Sequence, residues 1–93
     1  MRILIIEDEK KLCEAIGKSL HSAGYEIDVC YDGREALEMI FIEEYDLIVL
    51  DLNLPGVDGM DILKLLRDEN EETKVLILSA RSQIADKVEG LDA

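Results

Sequence analysis

The sequence predicts an α/β fold, a doubly wound parallel sheet with helices on both faces. Three observations carry that prediction. Short apolar runs at residues 3–6, 47–50 and 75–78 alternate with segments of helical periodicity, which is the pattern of successive βαβ units. Within those runs consecutive positions are apolar, as in strands covered on both faces. Acids also collect where strands give way to loops: Glu7 and Asp8 after the first run, Asp51 after the third. Open parallel sheets gather their ligands beyond the carboxyl ends of their strands.

Each element has its own justification. Arg2 to Ile6 reads as the first strand. The first helix runs from about Glu9 to Ala23, with Leu12, Ile16 and Leu20 on an inward stripe widened by Ala15. Gly24 ends it as a C′ residue. Residues 26–31 alternate, with Ile27, Val29 and Tyr31 on one face and Glu26, Asp28 and Cys30 on the other. That pattern belongs to a half-buried edge strand. Asp32, followed three residues on by Glu35, forms a capping-box-like start to a second helix that reaches about Glu44 and buries Ala36, Leu37 and Ile40. The third strand, residues 46–51, runs into a Pro55-Gly56 turn. A third helix follows from about Gly59 to Asp68, with Ile62, Leu63 and Leu66 inward. Polar residues 69–73 lead to the fourth strand, which ends at Ser79 and Ala80. Ser82 then caps a fourth helix whose stripe is Ile84, Val88 and Leu91.

The bulk properties set limits on function. Ninety-three residues make one small domain. A formal net charge of −12 opposes any grip on nucleic-acid phosphates. No apolar run is long enough to span a bilayer, and the start is too short and too soon acidic for a signal peptide, so a cytoplasmic location is expected. Cys13 and Cys30 have neither redox nor zinc spacing and read as buried thiols. His21, the one histidine, falls near a helix C-terminus, where a cation suits the dipole.

The edge character of the second strand gives the strand order 2-1-3-4. Strands 1 and 3 then flank the switch point, and Glu7, Asp8 and Asp51 should converge there. Right-handed crossovers put the first helix on one face and the later helices on the other. One helix cannot cover a face of four strands, and a fourth strand apolar on both faces makes a poor edge. By this reasoning a further strand and helix are missing after Ala93.

Three carboxylates in one crevice stay ionised together if a hard divalent cation sits among them. Mg²⁺ suits oxygen ligands of this kind. A carboxylate there can attack phosphorus and form an acyl phosphate, while metal and neighbouring donors stabilise the transferring group. Ser79 is placed to offer a hydroxyl to a phosphoryl oxygen, and the main-chain oxygen of Asn53 could complete the metal shell.

The residues Ile5-Ile6-Glu7-Asp8-Glu9, the run from Asp46 through Asp51 and Leu54-Pro55-Gly56-Val57-Asp58 to Gly59, and Val75-Leu76-Ile77-Leu78-Ser79-Ala80 resemble the receiver domain of two-component response regulators. The opening and the Leu-Pro-Gly-Val-Asp-Gly run resemble the OmpR/PhoB-like, winged-helix transcription factor branch most. The resemblance spans the whole chain. It implies a flavodoxin-like fold with Asp51 as the phosphoacceptor, phosphorylated by a sensor histidine kinase. It implies that Asp8, Asp51 and the Asn53 main-chain oxygen bind Mg²⁺, with Glu7 assisting through water, and that Ser79 is the switch hydroxyl. Pro55 and Gly56 would shape the adjoining loop.

Family members also carry a fifth strand with a lysine that pairs with the phosphoryl group, an aromatic switch residue on that strand, and a fifth helix. This chain stops before them, and Lys87 on the fourth helix is not the equivalent lysine. Residues 1–93 are therefore expected to be a partial receiver domain, (βα)4 of (βα)5, with no output or DNA-binding domain. Weakened phosphorylation and self-association, edge to edge at the fourth strand or by exchanged elements, are expected to follow. Two other readings compete. A metal-dependent phosphatase of haloacid-dehalogenase type needs a second Asp where Asn53 stands, and 93 residues leave no room for a substrate cap. A pure association or folding module would carry the same acids at an inert site.

Overall fold

The computed structural model describes residues 1–54, 56–69 and 72–78. Its elements follow as β1 (Arg2–Ile6), α1 (Lys10–Ser22), β2 (Glu26–Cys30), α2 (Gly33–Ile42), β3 (Leu47–Asp51), α3 (Gly59–Glu69) and β4 (Lys74–Leu78). The predicted fourth helix lies outside the described residues, as do Pro55, Ser79 and Lys87. All strand pairs are parallel, in the order β2-β1-β3-β4. The two central strands pair Ile3 with Leu47 through Ile6 with Leu50.

The sheet divides the core in two. Leu4, Ile6, Cys30, Ile48 and Leu50 pack with Ala36 of α2 and with Ile62, Leu63 and Leu66 of α3. On the other face Ile3, Ile5 and Val49 pack with Cys13 of α1. Among the described residues, one helix on one face and two on the other is the arrangement that right-handed crossovers require. Cys13 and Cys30 thus sit on opposite sides of the sheet as free, buried thiols, and burial raises the pKa of both.

The inward face of α1 differs from the one expected. Cys13 and Gly17 are its buried residues and Ile16 and Leu20 are half-buried, whereas Ala15 is exposed and Leu12 is 42% exposed. The line of closest approach to β1 and β2 runs through Cys13 and Gly17, where a Cβ on Gly17 would meet Ile5, Ile27 and Val29 at 3.6–3.7 Å, in ordinary contact, and Leu12 is turned to the flank. The C-terminus behaves as expected. Gly24 adopts φ +100°, its N–H donates to the His21 carbonyl at 3.0 Å, and the Tyr25 N–H donates to Leu20 at 3.3 Å. These are the two bonds of a Schellman motif.

Asp32 caps α2, its Oδ1 accepting from the Glu35 N–H at 2.8 Å. That helix stops at Ile42, short of Glu44, and leaves Phe41 and Ile42 exposed. The cap of α3 is Asp58, whose Oδ1 accepts from the Met60 N–H at 2.9 Å. β4 is the outermost strand on its side among the described residues, and its Leu76 is 41% exposed.

The N-terminal ends of the strands are tied by one polar network. Tyr45, buried just before β3, donates to Asp28 Oδ2 at 2.8 Å, and Arg2 Nε donates to the same oxygen at 3.2 Å. Arg2 also reaches Glu43 at 3.4 Å, and its main-chain N–H donates to Asp46 at 2.7 Å. Burial and the bond to Asp28 raise the Tyr45 pKa, so its hydroxyl stays a donor. Replacing Tyr45 with Phe removes one bond while Arg2 still satisfies Asp28. The expected loss is about 1 kcal/mol, read as a lower urea midpoint with an unchanged slope.

Candidate functional site

The site is built by the ends of the two central strands. Asp51 is the last residue of β3 and is 2% exposed. Glu7 continues β1 and is 4% exposed, its N–H donating to the Cys30 carbonyl of β2 at 3.0 Å. Asp8 follows and is exposed. One carboxylate oxygen from each of Glu7, Asp8 and Asp51 lies within 4.8 Å of the others. The three acids expected to converge therefore do so. No other such cluster of His, Cys, Asp and Glu occurs among the described residues.

Asp51 is oriented by the loop that follows it, since the Asn53 N–H donates to its Oδ1 at 3.0 Å. That bond folds Asn53 back toward the acids. The Leu52 N–H donates to the Leu78 carbonyl at 3.3 Å, tying the loop to β4. Gly56, farther along, has φ +84° with open space around it, so conformation selects the glycine there. Ser79 cannot be placed relative to the acids, since it lies outside the described residues.

Glu7 is the residue whose surroundings the sequence least revealed. The role expected of it is assistance to the metal through water; the structure buries its side chain, and its pKa is raised to about 7. Burial is the largest cause, followed by its hydrogen bond to Asp51, while the Glu9 N–H bonded to Glu7 Oε1 at 3.2 Å pulls the other way. A proton on Glu7 relieves repulsion within the cluster, which is the service a cation would also render. Alternation along β1 puts Glu7 on the same face as Ile3 and Ile5, but with both faces of the strand covered it did not set Glu7 apart from the exposed Asp8.

The donor set suits a hard divalent cation. It offers carboxylate oxygens of three residues, two of them buried, and the Asn53 main chain is held nearby by its bond to Asp51. Mg²⁺ binds through a few carboxylates while keeping several waters, and the exposed Asp8 side leaves room for them. No nitrogen or sulfur ligand belongs to the cluster, which disfavours a zinc-type site.

Comparison with known proteins places the chain among relatives. The family model described as "Response regulator receiver domain" matches residues 3–93. The transcriptional regulatory protein DltR of Streptococcus agalactiae is 46% identical over 92 residues, covering 99% of this chain and 41% of that protein. The chain therefore spans about two fifths of such a curated relative. Among solved structures, the Thermotoga maritima response regulator TrrA in complex with Mg(2+)-BeF is 34% identical with a TM-score of 0.87, covering 99% of this chain and 80% of that one. The structure of histidine kinase ThkA in complex with TrrA matches at 29% identity and a TM-score of 0.81, covering 99% of this chain and 98% of the matched chain. No helix among the described residues is long and apolar enough to cross a membrane.

The raised Glu7 pKa fixes the sign of a pH effect. The folded state holds this proton more tightly than the unfolded chain, whose reference value is 4.5. The stability this confers is fully present below 4.5 and is lost as pH rises to about 7. In EDTA, Glu7→Gln should flatten the fall in Tm across that window relative to the parent chain. Any Mg²⁺ taken up by the cluster should bind more weakly as pH falls below about 7, because the proton on Glu7 competes with the cation.

Proposed function

We propose a function for this site from a settled premise: the chain belongs to the response regulator receiver domain family of two-component signalling. In our reading Asp51 is the phosphoacceptor. The observation that carries it is the convergence of Glu7, Asp8 and Asp51 within 4.8 Å at the ends of β1 and β3.

The chemistry follows from the arrangement. Asn53 N–H occupies Asp51 Oδ1, which fixes the carboxylate plane and leaves Oδ2 to attack phosphorus. An Oδ2–P bond forms as the P–N bond of a phosphohistidine donor breaks, and the imidazole leaves with the electron pair. The product is an acyl phosphate on Asp51. Asp8, Asp51 and the Asn53 main-chain oxygen would hold Mg²⁺, with Glu7 acting through water. When bound, the metal offsets the charge that gathers on the phosphoryl oxygens. Glu7 holds or releases a proton according to whether that positive charge is present. Ser79, next after β4, is assigned the switch hydroxyl on the strength of the family resemblance.

The donor we assign is a sensor histidine kinase, in keeping with TrrA, which has been solved with the kinase ThkA. Transcription is the proposed output of the longer protein, by analogy with DltR. The role of the chain itself is regulatory, with self-phosphorylation and its reversal as its only turnover.

A small phosphodonor such as acetyl phosphate tests this reading. With Mg²⁺, intact-mass measurement should show one added phosphoryl group on a minor fraction of the chains, in line with the weakened phosphorylation expected, and none in EDTA or in Asp51→Asn. A phosphoryl group retained by Asp51→Asn would remove Asp51 from the role, and no mass gain under any Mg²⁺ condition would leave the acids as an inert cluster.

A further inference from the structure

Two glycines beside the site are selected by space and not by backbone conformation. Gly33 is the first residue of α2 and Gly59 the first of α3; both are buried. Neither has the left-handed φ that favours glycine, in contrast to Gly24 and Gly56. A Cβ on Gly59 would fall 2.6 Å from Leu52 Cα and 2.9 Å from the Asp51 carbonyl oxygen. A Cβ on Gly33 would fall 2.7 Å from Val57 Cβ and 3.3 Å from Ile62 Cδ1. Real Cβ atoms do not tolerate contacts under 3.0 Å, so in each case something must move.

What would move is the loop joining β3 to α3. Gly59 presses on its first peptide, the one leaving Asp51. Gly33 presses on its far arm at Val57. Asn53 lies between the two contacts, and its N–H is the group that orients Asp51. The N-terminus of α2 is itself tied to the acids. Cys30, two residues before the Asp32 cap, gives its carbonyl to the Glu7 N–H at 3.0 Å, and its Sγ donates to the Asp32 carbonyl at 3.0 Å. One connected set of contacts therefore runs from Glu7 through Cys30 and Asp32 to Gly33, Val57 and the Asn53 loop.

We infer that Gly33 and Gly59 are positioning residues for this site: their missing side chains let two helix N-termini close on Leu52 and Val57 and hold the Asn53 main chain against Asp51. The inference rests on the proposed function for its meaning, since the clamped groups are the assigned phosphoacceptor and one assigned metal ligand. Its geometry is independent of that reading. At Gly59 the obstacle is backbone, which cannot yield without shifting Asp51 itself. At Gly33 the obstacle is the Val57 side chain, so the pair can be exchanged: a Cβ added on one side can be compensated by its removal on the other.

The exchange provides the test. Amide hydrogen exchange at Asn53 is measured in the full chain, in Gly33→Ala, in Val57→Gly and in the double variant. Tyr45→Phe, which perturbs the opposite end of the sheet, serves as a control for general loss of stability. Gly33→Ala should speed exchange at Asn53 by tenfold or more beyond its effect on core amides of β1. The double variant should return to within about threefold of the parent, and Tyr45→Phe should move Asn53 and core amides together. Mg²⁺ affinity, read by the shift in Tm, should follow the same order. If Asn53 exchange in Gly33→Ala changes no more than the core amides, or the double variant fails to recover, the clamp is refuted. A parent chain that ignores Mg²⁺ while Asn53 responds as described would overturn the proposed function and leave the clamp standing.

Discussion

The parallel ladder between β1 and β3 sets Ile3 opposite Leu47 and Ile6 opposite Leu50, so the residues that follow in each strand, Glu7 and Asp51, leave the sheet side by side. Neighbouring strands lie about 4.8 Å apart, a distance comparable with the separations among the clustered carboxylate oxygens. The width of the site is thus inherited from the sheet. Register matters as much as proximity. A one-residue slip of β3 would turn its side chains to the other face of the sheet. The apolar residues that prevent such a slip, Leu4 and Ile6 with Ile48 and Leu50, have no chemical role, yet they determine where the acids stand.

That placement has an electrostatic cost which the rest of the domain must absorb. Two carboxylates of the cluster are almost fully buried, and the whole chain carries a formal charge of −12. The domain meets the cost with local dipoles: the Asn53 N–H on Asp51 and the Glu9 N–H on Glu7. It does so incompletely, and burial with Asp51 alongside leaves the pKa of Glu7 raised. The contrast with the other end of the sheet is instructive. There Asp28 receives Tyr45 and Arg2 together, and Arg2 also pairs with Glu43. Compensation is thus fuller around Asp28, where no chemistry is assigned, than at the acid cluster proposed to hold a cation. A violated local rule of this kind is expected at functional sites.

Much of this could be read from the sequence, because the signals were local. Apolar runs gave the strands, Gly24 and Asp32 ended and began helices as their chemistry requires, and the alternation of elements gave the strand order. What escaped notice depended on small side chains meeting across the fold. A stripe keyed on large residues placed Leu12 inward on α1, whereas Gly17 marks the true line of contact. The burial of Tyr45 was not read from its polar neighbours Glu44 and Asp46, since its partner Asp28 is distant in sequence. Gly33 reads as an ordinary member of a capping sequence until Val57 is seen against it. Glu7 read as one of several acids, because a strand buried on both faces gives no alternation that could separate Glu7 from the exposed Asp8.

These small-residue contacts show why the acids and their loop act as a unit. A loop tethered only by its ends would let Asn53 swing away from Asp51, and the hydrogen bond at 3.0 Å would be one of many arrangements. Close packing converts that ensemble into one geometry, because a buried contact without slack has no neighbouring minimum to relax into. Gly59 supplies it from below, against backbone, and Gly33 supplies it from the side, against Val57. Bulkier residues would add apolar area at both places, yet at the expense of the spacing the site requires. The sequence thus forgoes burial at two helix starts and obtains a fixed distance between a carboxylate and the main chain beside it. The domain places rigidity next to its least compensated charges.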